Sequence, residues 1–292
     1  MGLSRRRFAA GIAGAALGAR AQSRPAQGLP ARLTPPVCLY SRILAKVDYN
    51  DLGLVLRNLG FDGCDLSVQR GGHVPPEKAP TELMPTLEAV TGAGLDVFVL
   101  TTDFISGTDM TARNTLFLAG LEKVSLFRAG AFKFAGALES PARVAQLQLD
   151  IAQLAGVGRA YGLVMAIQNS AEGAAISDID PLIRPFDTRW VGYDFDIGYA
   201  TAQGAAGESL RIALPRLKMV TVRDFKWTEG KTTAPCLLGE GVVEWGVFFG
   251  VLARAKFTGP ISVQVDHQPT NELPAIRKDL EFVRKQIAAA YR

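Results

Sequence analysis

Residues 63–101 decide the fold, running from Gly63-Cys64-Asp65-Leu66-Ser67-Val68 through a helical pattern at Thr81–Thr91 to Asp96-Val97-Phe98-Val99-Leu100-Thr101. The two apolar runs are short and rich in Val, Leu and Phe, a composition typical of strands buried on both faces. A helix between two such strands predicts a βαβ unit, in which the strands are parallel.

The same alternation continues along the rest of the chain. Eight apolar runs are predicted strands, at Val37–Tyr40, Gly63–Val68, Asp96–Thr101, Val124–Phe127, Gly162–Ile167, Trp190–Phe195, Met219–Arg223 and Pro260–Val265. The clearest helical patterns between them are Asp48–Leu59, Thr81–Thr91, Thr111–Glu122, Ser140–Ala155, Glu244–Ala255 and Leu273–Tyr291. Asp48 and Ser140 are residue types that cap helix starts.

Eight strand–helix repeats predict an α/β fold, a (β/α)8 TIM barrel in a single domain. The alternative is a doubly wound open sheet, which normally has a glycine-rich phosphate turn after its first strand. Here Tyr40-Ser41-Arg42 follows that strand, and neither G-x-G-x-x-G nor a Walker pattern occurs in the sequence. No nucleotide cofactor is therefore expected.

The N-terminus has the pattern of an export signal. Ser4-Arg5-Arg6-Arg7-Phe8 precedes an Ala/Gly-rich apolar stretch to Gly18, and Ala19-Arg20-Ala21 offers a cleavage site. We predict a twin-arginine-type signal at 1–21, a linker at 22–36 and the barrel at 37–292. The protein would then meet the twin-arginine export machinery and reach the periplasm or the exterior already folded. The alternative is a basic tail on a cytoplasmic protein.

Charge and hydropathy exclude several classes of protein. Residues 1–21 contain four arginines and no acid, so without them the net charge falls from +4 to zero. Nucleic acid binding needs a basic face that the remaining chain lacks. The sequence contains no apolar run of the 18 or so residues that span a bilayer, so an integral membrane protein is not expected.

Three cysteines, Cys38, Cys64 and Cys236, are too few and too far apart for a disulfide framework or a zinc cluster. Cys38 and Cys64 lie in apolar strands and are interpreted as small buried thiols.

Polar residues follow nearly every predicted strand, where a barrel has its active site. They are Gln69-Arg70-Gly71-Gly72-His73, Thr101-Thr102-Asp103, Arg128, Gln168-Asn169-Ser170, Asp194 and Asp196 with Tyr199, Thr221 and Arg223 to Lys226, and Gln264-Val265-Asp266-His267. Each alone could cap a helix or pair with a neighbour. Together they predict a pocket for a hydroxyl-rich molecule.

Three segments resemble the sugar phosphate isomerase/epimerase family of xylose-isomerase-like barrels. They are Gly63–Val68 with Gly71-Gly72-His73-Val74-Pro75-Pro76-Glu77, then Phe195-Asp196-Ile197-Gly198-Tyr199-Ala200, and finally Val222-Arg223-Asp224-Phe225 with Leu238-Gly239-Glu240-Gly241 and Glu244-Trp245. The resemblance implies a carbohydrate substrate and one divalent metal (Mn, Mg, Co or Zn) held by carboxylates and histidines of strands 5 to 8. Such a metal polarises a sugar carbonyl while nearby groups move a proton.

The sequence departs from that ligand pattern. Strand 5 offers Gln168, Asn169 and Ser170 in place of Glu or His, and Tyr199 replaces the histidine expected after Asp196. Thr221 and Gln264 stand at two further ligand positions. Amides and hydroxyls bind transition metals weakly. We therefore expect a degraded metal site, with Asp196 and Gln264 as its remaining candidates.

The candidate catalytic residues are Asp196, Asp224, His73 and Asp266. The candidate substrate-binding residues are Arg70, Arg128, Gln168, Asn169, Tyr199, Lys226, Gln264 and His267. Residues 197–204 give no clear helix start, so capping explains Asp196 poorly, and Gly198 leaves room for a close ligand. A lone histidine is more often structural than catalytic, and Lys226 has the alternative of a solvated loop charge.

Two hypotheses about function remain. The first is an exported isomerase, epimerase or metal-independent lyase acting on a sugar or keto-sugar by proton transfer next to a carbonyl. The second is a degenerate barrel that binds a sugar without turnover. The sequence shows no phosphate-binding loop after strands 7 and 8, so a sugar phosphate is not the expected ligand.

Overall fold

Eight parallel strands close into a barrel in the computed structural model, which describes residues 33–134, 136–170, 174–227, 233–267 and 272–292. The barrel strands are β1 (Val37–Tyr40), β2 (Gly63–Val68), β3 (Asp96–Thr102), β4 (Leu126–Arg128), β5 (Val164–Gln168), β6 (Val191–Asp196), β7 (Leu217–Val222) and β10 (Ile261–Val263). Two further strands, β8 (Asp224–Trp227) and β9 (Thr233–Cys236), form an antiparallel hairpin after β7. The predicted TIM barrel is confirmed.

The first and last barrel strands close the ring. Cys38 of β1 lies in register with Gly63 of β2 on one side and with Ser262 of β10 on the other. Every neighbouring pair around the ring is parallel. All carboxyl ends of the barrel strands therefore meet at one mouth.

The predicted strands agree closely with the structure. The ranges Val37–Tyr40 and Gly63–Val68 are confirmed, and the other six barrel strands differ by at most two residues at an end. Short strands buried on both faces leave a strong apolar signal, which explains this agreement.

Nine helices are present among the described residues. They are α1 (Leu52–Leu59), α2 (Ala79–Gly92), α3 (Met110–Leu121), α4 (Pro141–Ala160), α5 (Ile176–Ile183), α6 (Ile197–Ala202), α7 (Ala206–Ala213), α8 (Trp245–Arg254) and α9 (Glu272–Ala290). The helices α5, α6 and α7 are short and were not among the clear predictions. The structure also has 3-10 turns at Ser41–Leu44, Pro76–Lys78, Ala137–Glu139 and Leu214–Arg216.

Two residues predicted to begin helices, Ser140 and Asp48, have different outcomes in the structure. Ser140 accepts a hydrogen bond from the Arg143 amide at 3.4 Å and caps α4, as its residue type predicts. The predicted start at Asp48 is wrong, because α1 begins at Leu52. Asp48 instead accepts bonds from the backbone and side-chain nitrogens of Asn50, forming a turn before the helix.

Alternate residues of each strand face the helices or the barrel interior. Phe195 of β6 faces outward and stacks on Phe248 of α8, with ring centroids 6.2 Å apart. Its neighbours Asp194 and Asp196 face inward and are fully buried. The barrel interior is thus polar near the mouth, while the apolar core lies mainly between strands and helices.

Cys38 and Cys64 are buried free thiols, as predicted. Among the described residues, no helix is both long and apolar enough to span a membrane. The predicted signal at 1–21 and residues 22–32 of the predicted linker lie outside the described residues.

Candidate functional site

A cavity of about 320 Å3 opens at the carboxyl ends of the barrel strands. This is the end at which TIM barrels place their active sites. Each of the eight barrel strands, or the segment directly after it, contributes to the wall, and the lining consists of Tyr40, Gln69, Thr101, Thr102, Asp103, Arg128, Ala129, Gly130, Ala131, Gln168, Ser170, Tyr199, Arg223 and Gln264.

Arg128, the last residue of β4, crosses the barrel interior. Its Nη1 donates to Asp194 Oδ2 at 3.0 Å and to Thr221 Oγ1 at 3.3 Å. Its Nη2 lies 3.8 Å from Asp65 Oδ2, and its guanidinium lies 5.0 Å from the centre of the Tyr40 ring. Both carboxylates are fully buried, so each needs this counter-charge.

The two carboxylates beside Arg128 have further donors. Asp65 accepts from the Thr101 hydroxyl and, at 2.6 Å, from the Ser262 hydroxyl. Asp194 accepts from Gln168 Nε2 and from Thr221 Oγ1, each at 2.9 Å. Burial raises the pKa of Asp65, and Arg128 opposes that change.

Arg223 forms a second assembly nearer the opening. Its Nε lies 2.7 Å from Asp196 Oδ2, and its Nη1 contacts Asp266 and donates to the Tyr199 hydroxyl at 3.1 Å. The guanidinium also lies 4.3 Å from the centre of the Tyr199 ring. Arg223 therefore fixes the phenol in the cavity wall through both a hydrogen bond and a cation–π contact.

Asp196 caps a helix as well as pairing with Arg223. Its Oδ1 accepts from the Tyr199 amide at 3.0 Å at the start of α6. The expectation that capping explains Asp196 poorly is wrong, because α6 is short and its Gly/Ala-rich sequence hides its start. Burial raises the pKa of Asp196 to about 6, and Arg223 acts in the opposite direction.

Gly198 does not leave room for a ligand, contrary to the sequence-based expectation. A Cβ there would lie 2.5 Å from Arg223 Cγ and 2.7 Å from the Arg223 carbonyl oxygen. The glycine is needed because the Arg223 backbone and side chain pass directly over it.

The amide side chains divide between the cavity and the scaffold. Gln168 and Gln264 line the cavity, and Gln264 Nε2 donates to Asp266 at 3.1 Å. Gln264 Oε1 is buried and accepts no hydrogen bond from the described residues. Asn169 instead exchanges two hydrogen bonds with the Asp196 backbone and ties β5 to β6.

Asp224 lies outside the cavity lining and organises a loop. Its carboxylate accepts from the amides of Phe225, Gly239, Gly241 and Val243 and from the Trp245 indole. This set of donors explains the distinctive Leu-Gly-Glu-Gly stretch and the tryptophan that follows it. The sequence pattern marks a loop support here.

Four more candidates from the sequence also lie outside the lining. His267 pairs with Asp279 at 3.0 Å, and Lys226 pairs with Glu240 at 2.8 Å on the exposed hairpin. The Lys226 contact agrees with its alternative interpretation as a solvated charge. Arg70 is 90% exposed and lies 3.8 Å from Asp103 at the rim.

His73 is the fourth. It is buried, and its amide donates to Ser67 Oγ at 2.8 Å. Burial lowers the pKa of its imidazole.

The sequence analysis named Asp194 and Arg223 among the polar residues at strand ends but gave them no catalytic or binding role, and it did not single out Tyr40 or Asp65 for the site. Applying the two-residue repeat of a β-strand to the sequence would have identified most of them, because every second residue of a barrel strand faces inward. Asp194 shares a face with Asp196, and Arg223 shares one with Thr221, so each pair had to point into the barrel.

These residues do not fit a metal ion well. The described residues contain no cluster of three or more His, Cys, Asp or Glu side chains arranged for a metal. The positive charges among the buried carboxylates are instead the guanidinium groups of Arg128 and Arg223. Asp196, a predicted ligand, is directed at Arg223 and at the α6 amide, and Gln264 offers only an amide oxygen.

A family model of xylose isomerase-like TIM barrels matches residues 54–286. The chain belongs to this family. Among curated proteins, none matches the chain.

Solved structures share the fold at low sequence identity. A 3-keto-D-glucoside 4-epimerase from E. coli has a TM-score of 0.67 at 13% identity, covering 86% of this chain and 100% of its own. A xylose isomerase-like TIM barrel protein from Mycobacterium smegmatis in complex with magnesium has a TM-score of 0.70 at 16% identity, and the match covers 89% of this chain and 98% of that protein. D-allulose 3-epimerase from Methylomonas sp. in complex with D-allulose has a TM-score of 0.68 at 12% identity, and the match covers 87% of this chain and 97% of that protein. Sugar epimerases are thus among this chain's structural neighbours.

Proposed function

We propose that this protein is a carbohydrate-active enzyme of the isomerase or epimerase type, acting by proton transfer next to the carbonyl of an uncharged sugar or keto-sugar. One observation carries the proposal. A phenol held by a buried guanidinium, Tyr199 with Arg223, lines the same cavity as Gln264, whose buried Oε1 has no hydrogen-bond partner among the described residues. A sugar hydroxyl is the kind of donor that this oxygen lacks.

The proposed step needs a base at a C–H bond and donors at the neighbouring carbonyl oxygen. The step starts from Tyr199 as its phenolate, with the phenol proton already released to solvent. The phenolate takes the proton, the electron pair of the C–H bond forms a carbon–carbon double bond, and the carbonyl oxygen becomes an enediolate oxygen. Arg223 already donates to the phenol oxygen and stabilises it. Arg128 lies in the cavity wall, and its guanidinium is the donor that would bind the developing oxyanion.

The charges around the cavity favour a neutral substrate. The two assemblies contain four carboxylates, Asp65, Asp194, Asp196 and Asp266, against the two guanidinium groups. A phosphate or sugar acid would add negative charge where acids already exceed bases.

The proposal includes a weak metal site or none. Arg128 and Arg223 neutralise the buried acids and place positive charge at the cavity wall. A divalent cation would otherwise serve both purposes. No step in the proposed reaction runs through a metal.

We also propose that the enzyme is exported by the twin-arginine pathway and acts in the periplasm or outside the cell. The support is the arginine pair, apolar stretch and small-residue site of residues 4–21. Changing Arg5 and Arg6 to Lys should retain the protein in the cytoplasm. Unchanged accumulation outside the cytoplasm would remove this part of the proposal.

A second candidate is a sugar-binding protein without turnover. The ion pairs of the two assemblies favour this candidate. Asp65, Asp194, Asp196 and Asp266 are each paired with a guanidinium group, so none of these four carboxylates is free to act as a base. Under this alternative Tyr199 would only donate to a hydroxyl.

The experiment incubates the purified protein in D2O with D-allulose or with a methyl 3-keto-D-glucoside and follows the proton next to the carbonyl by NMR. We expect exchange with at least one of them, and loss of exchange in Tyr199→Phe. Tyr161→Phe is the matched control, since Tyr161 precedes β5 at the opposite end of the barrel. Binding by calorimetry without exchange would support the second candidate instead. D-allulose 6-phosphate should neither bind nor exchange.

A further inference from the structure

A second tyrosine lines the same cavity in a matching setting. Tyr40 ends β1, is buried, and has Arg128 lying 5.0 Å from its ring centre. Gln69 Nε2 donates to its hydroxyl oxygen. Each cavity tyrosine therefore has an arginine on its ring, and each arginine is held by two carboxylates.

The two phenols come from different walls. Tyr40 stands on β1, and Tyr199 lies in the helix that directly follows β6. In the ring of eight strands, β10 and β7 separate β1 from β6 on one side, and four strands separate them on the other. A ring-shaped molecule bound in the cavity can present its two faces to the two hydroxyls.

The hydroxyl of Tyr40 is arranged to give a proton. Because Gln69 donates to its oxygen, the hydroxyl hydrogen must find another acceptor. Burial also raises the pKa of Tyr40, so the group is protonated at neutral pH.

We propose that Tyr40 is the second proton-transfer residue of this site and that the reaction is therefore an epimerisation. This inference rests on the proposed function. Tyr199 removes the proton from one face of the carbon next to the carbonyl, and the electron pair passes into the enediolate. Tyr40 then gives its proton to the opposite face while the carbonyl re-forms. The configuration inverts, and one proton returns from solvent to Tyr40 as another leaves Tyr199.

The test separates proton removal from inversion. Wild type, Tyr40→Phe and Tyr161→Phe are each incubated in D2O with D-allulose or the methyl 3-keto-D-glucoside. Exchange at the carbon next to the carbonyl and appearance of the epimer are measured in the same samples. The melting temperature of each variant is measured as a check on folding. Phenylalanine at position 40 retains the ring that contacts Arg128 and lacks only the hydroxyl.

In Tyr40→Phe we expect epimer formation to fall at least about 100-fold while exchange of the starting sugar stays within about fivefold of wild type, because Tyr199 still acts on its own face. Tyr161→Phe should match wild type in both. Equal loss of exchange and epimer formation would overturn the inference and make Tyr40 a binding residue, as would retention of both. If wild type exchanges no proton in either sugar, the proposed function itself fails and this inference fails with it.

Discussion

The two arginine assemblies of the barrel mouth use the same parts at different depths. Arg128 lies between Asp65 and Asp194, and both carboxylates are inaccessible to solvent. Arg223 lies between Asp196 and Asp266, and the side chain of Asp266 is 29% exposed. The deeper assembly joins residues of β2, β4, β6 and β7, whereas the outer one holds Tyr199 against the opening.

This difference in depth separates two roles. A fully buried acid depends on its counter-charge, because water cannot solvate it if the partner is lost. An acid near the opening can be solvated instead. We therefore expect the Arg128 assembly to contribute mainly to folding and the Arg223 assembly mainly to chemistry.

Replacing Arg128 should have the largest effect on stability. Arg128→Met leaves Asp65 and Asp194 buried without their cation, and we expect a loss of about 3–5 kcal/mol in the free energy of unfolding. Urea denaturation measures this loss. Arg223→Met is the matched control and should cost clearly less, because it leaves one fully buried acid, Asp196, without its cation instead of two, and solvent reaches Asp266. Equal costs would break the comparison.

Arg223→Lys should separate chemistry from folding. Lysine keeps the charge but cannot hold Asp196, Asp266 and the Tyr199 hydroxyl with one planar group. We expect proton exchange to fall about 100-fold, or about 2.7 kcal/mol. The melting temperature should change less than in Arg128→Met. An exchange rate within a fewfold of wild type would show that Arg223 does not support Tyr199.

Asp196→Asn should have a smaller effect on both properties. Asparagine can still cap α6. Burial raises the pKa of Asp196 to about 6, so the folded protein disfavours the charged carboxylate relative to the unfolded chain, and replacing it with a neutral amide should not lower the free energy of unfolding through the lost charge. Exchange should fall at least about tenfold, because a charged partner of Arg223 is lost. Large destabilisation with unchanged exchange would make Asp196 purely structural.

His73 lies outside the cavity lining and gives the smallest expected effect, on stability alone. Burial lowers its pKa in the folded state, so the unfolded chain binds the proton more readily. Stability should therefore fall as the pH drops through the unfolded value of about 6.5, by up to about 1.4 kcal/mol per pH unit.

Comparing wild type with His73→Asn at pH 7.5 and 5.5 isolates this dependence from the other titrating groups. The variant should show the weaker loss on acidification and the same exchange rate at pH 7.5. A slower exchange in the variant would return His73 to the site.

The barrel could be predicted from the sequence because its signals are local. Short apolar strands and helical patterns repeat along the chain, and strand ends give the site candidates Arg128, Gln168, Tyr199 and Gln264. The helix α6 was not predicted, because a short Gly/Ala-rich segment has little amphipathic pattern.

The pairing within the site could not be predicted in the same way. Arg128 and Asp194 are 66 residues apart, and Asp65 and Ser262 are 197 apart. Such contacts depend on strand order and on which strand positions face inward. The role of Asp224 shows a second limit, because any residue can supply the backbone amides that it binds, so the sequence pattern alone did not distinguish a carboxylate that supports a loop from a catalytic one.

The central claim is that two buried guanidinium groups replace a metal ion in this barrel mouth. Elemental analysis and proton exchange, measured on one protein preparation before and after exhaustive chelation, test it most directly. We predict clearly less than one transition-metal ion per chain, and an exchange rate unchanged by the chelator. One tightly held ion per chain, with exchange lost on its removal and restored by Mn²⁺ or Mg²⁺, would contradict the account.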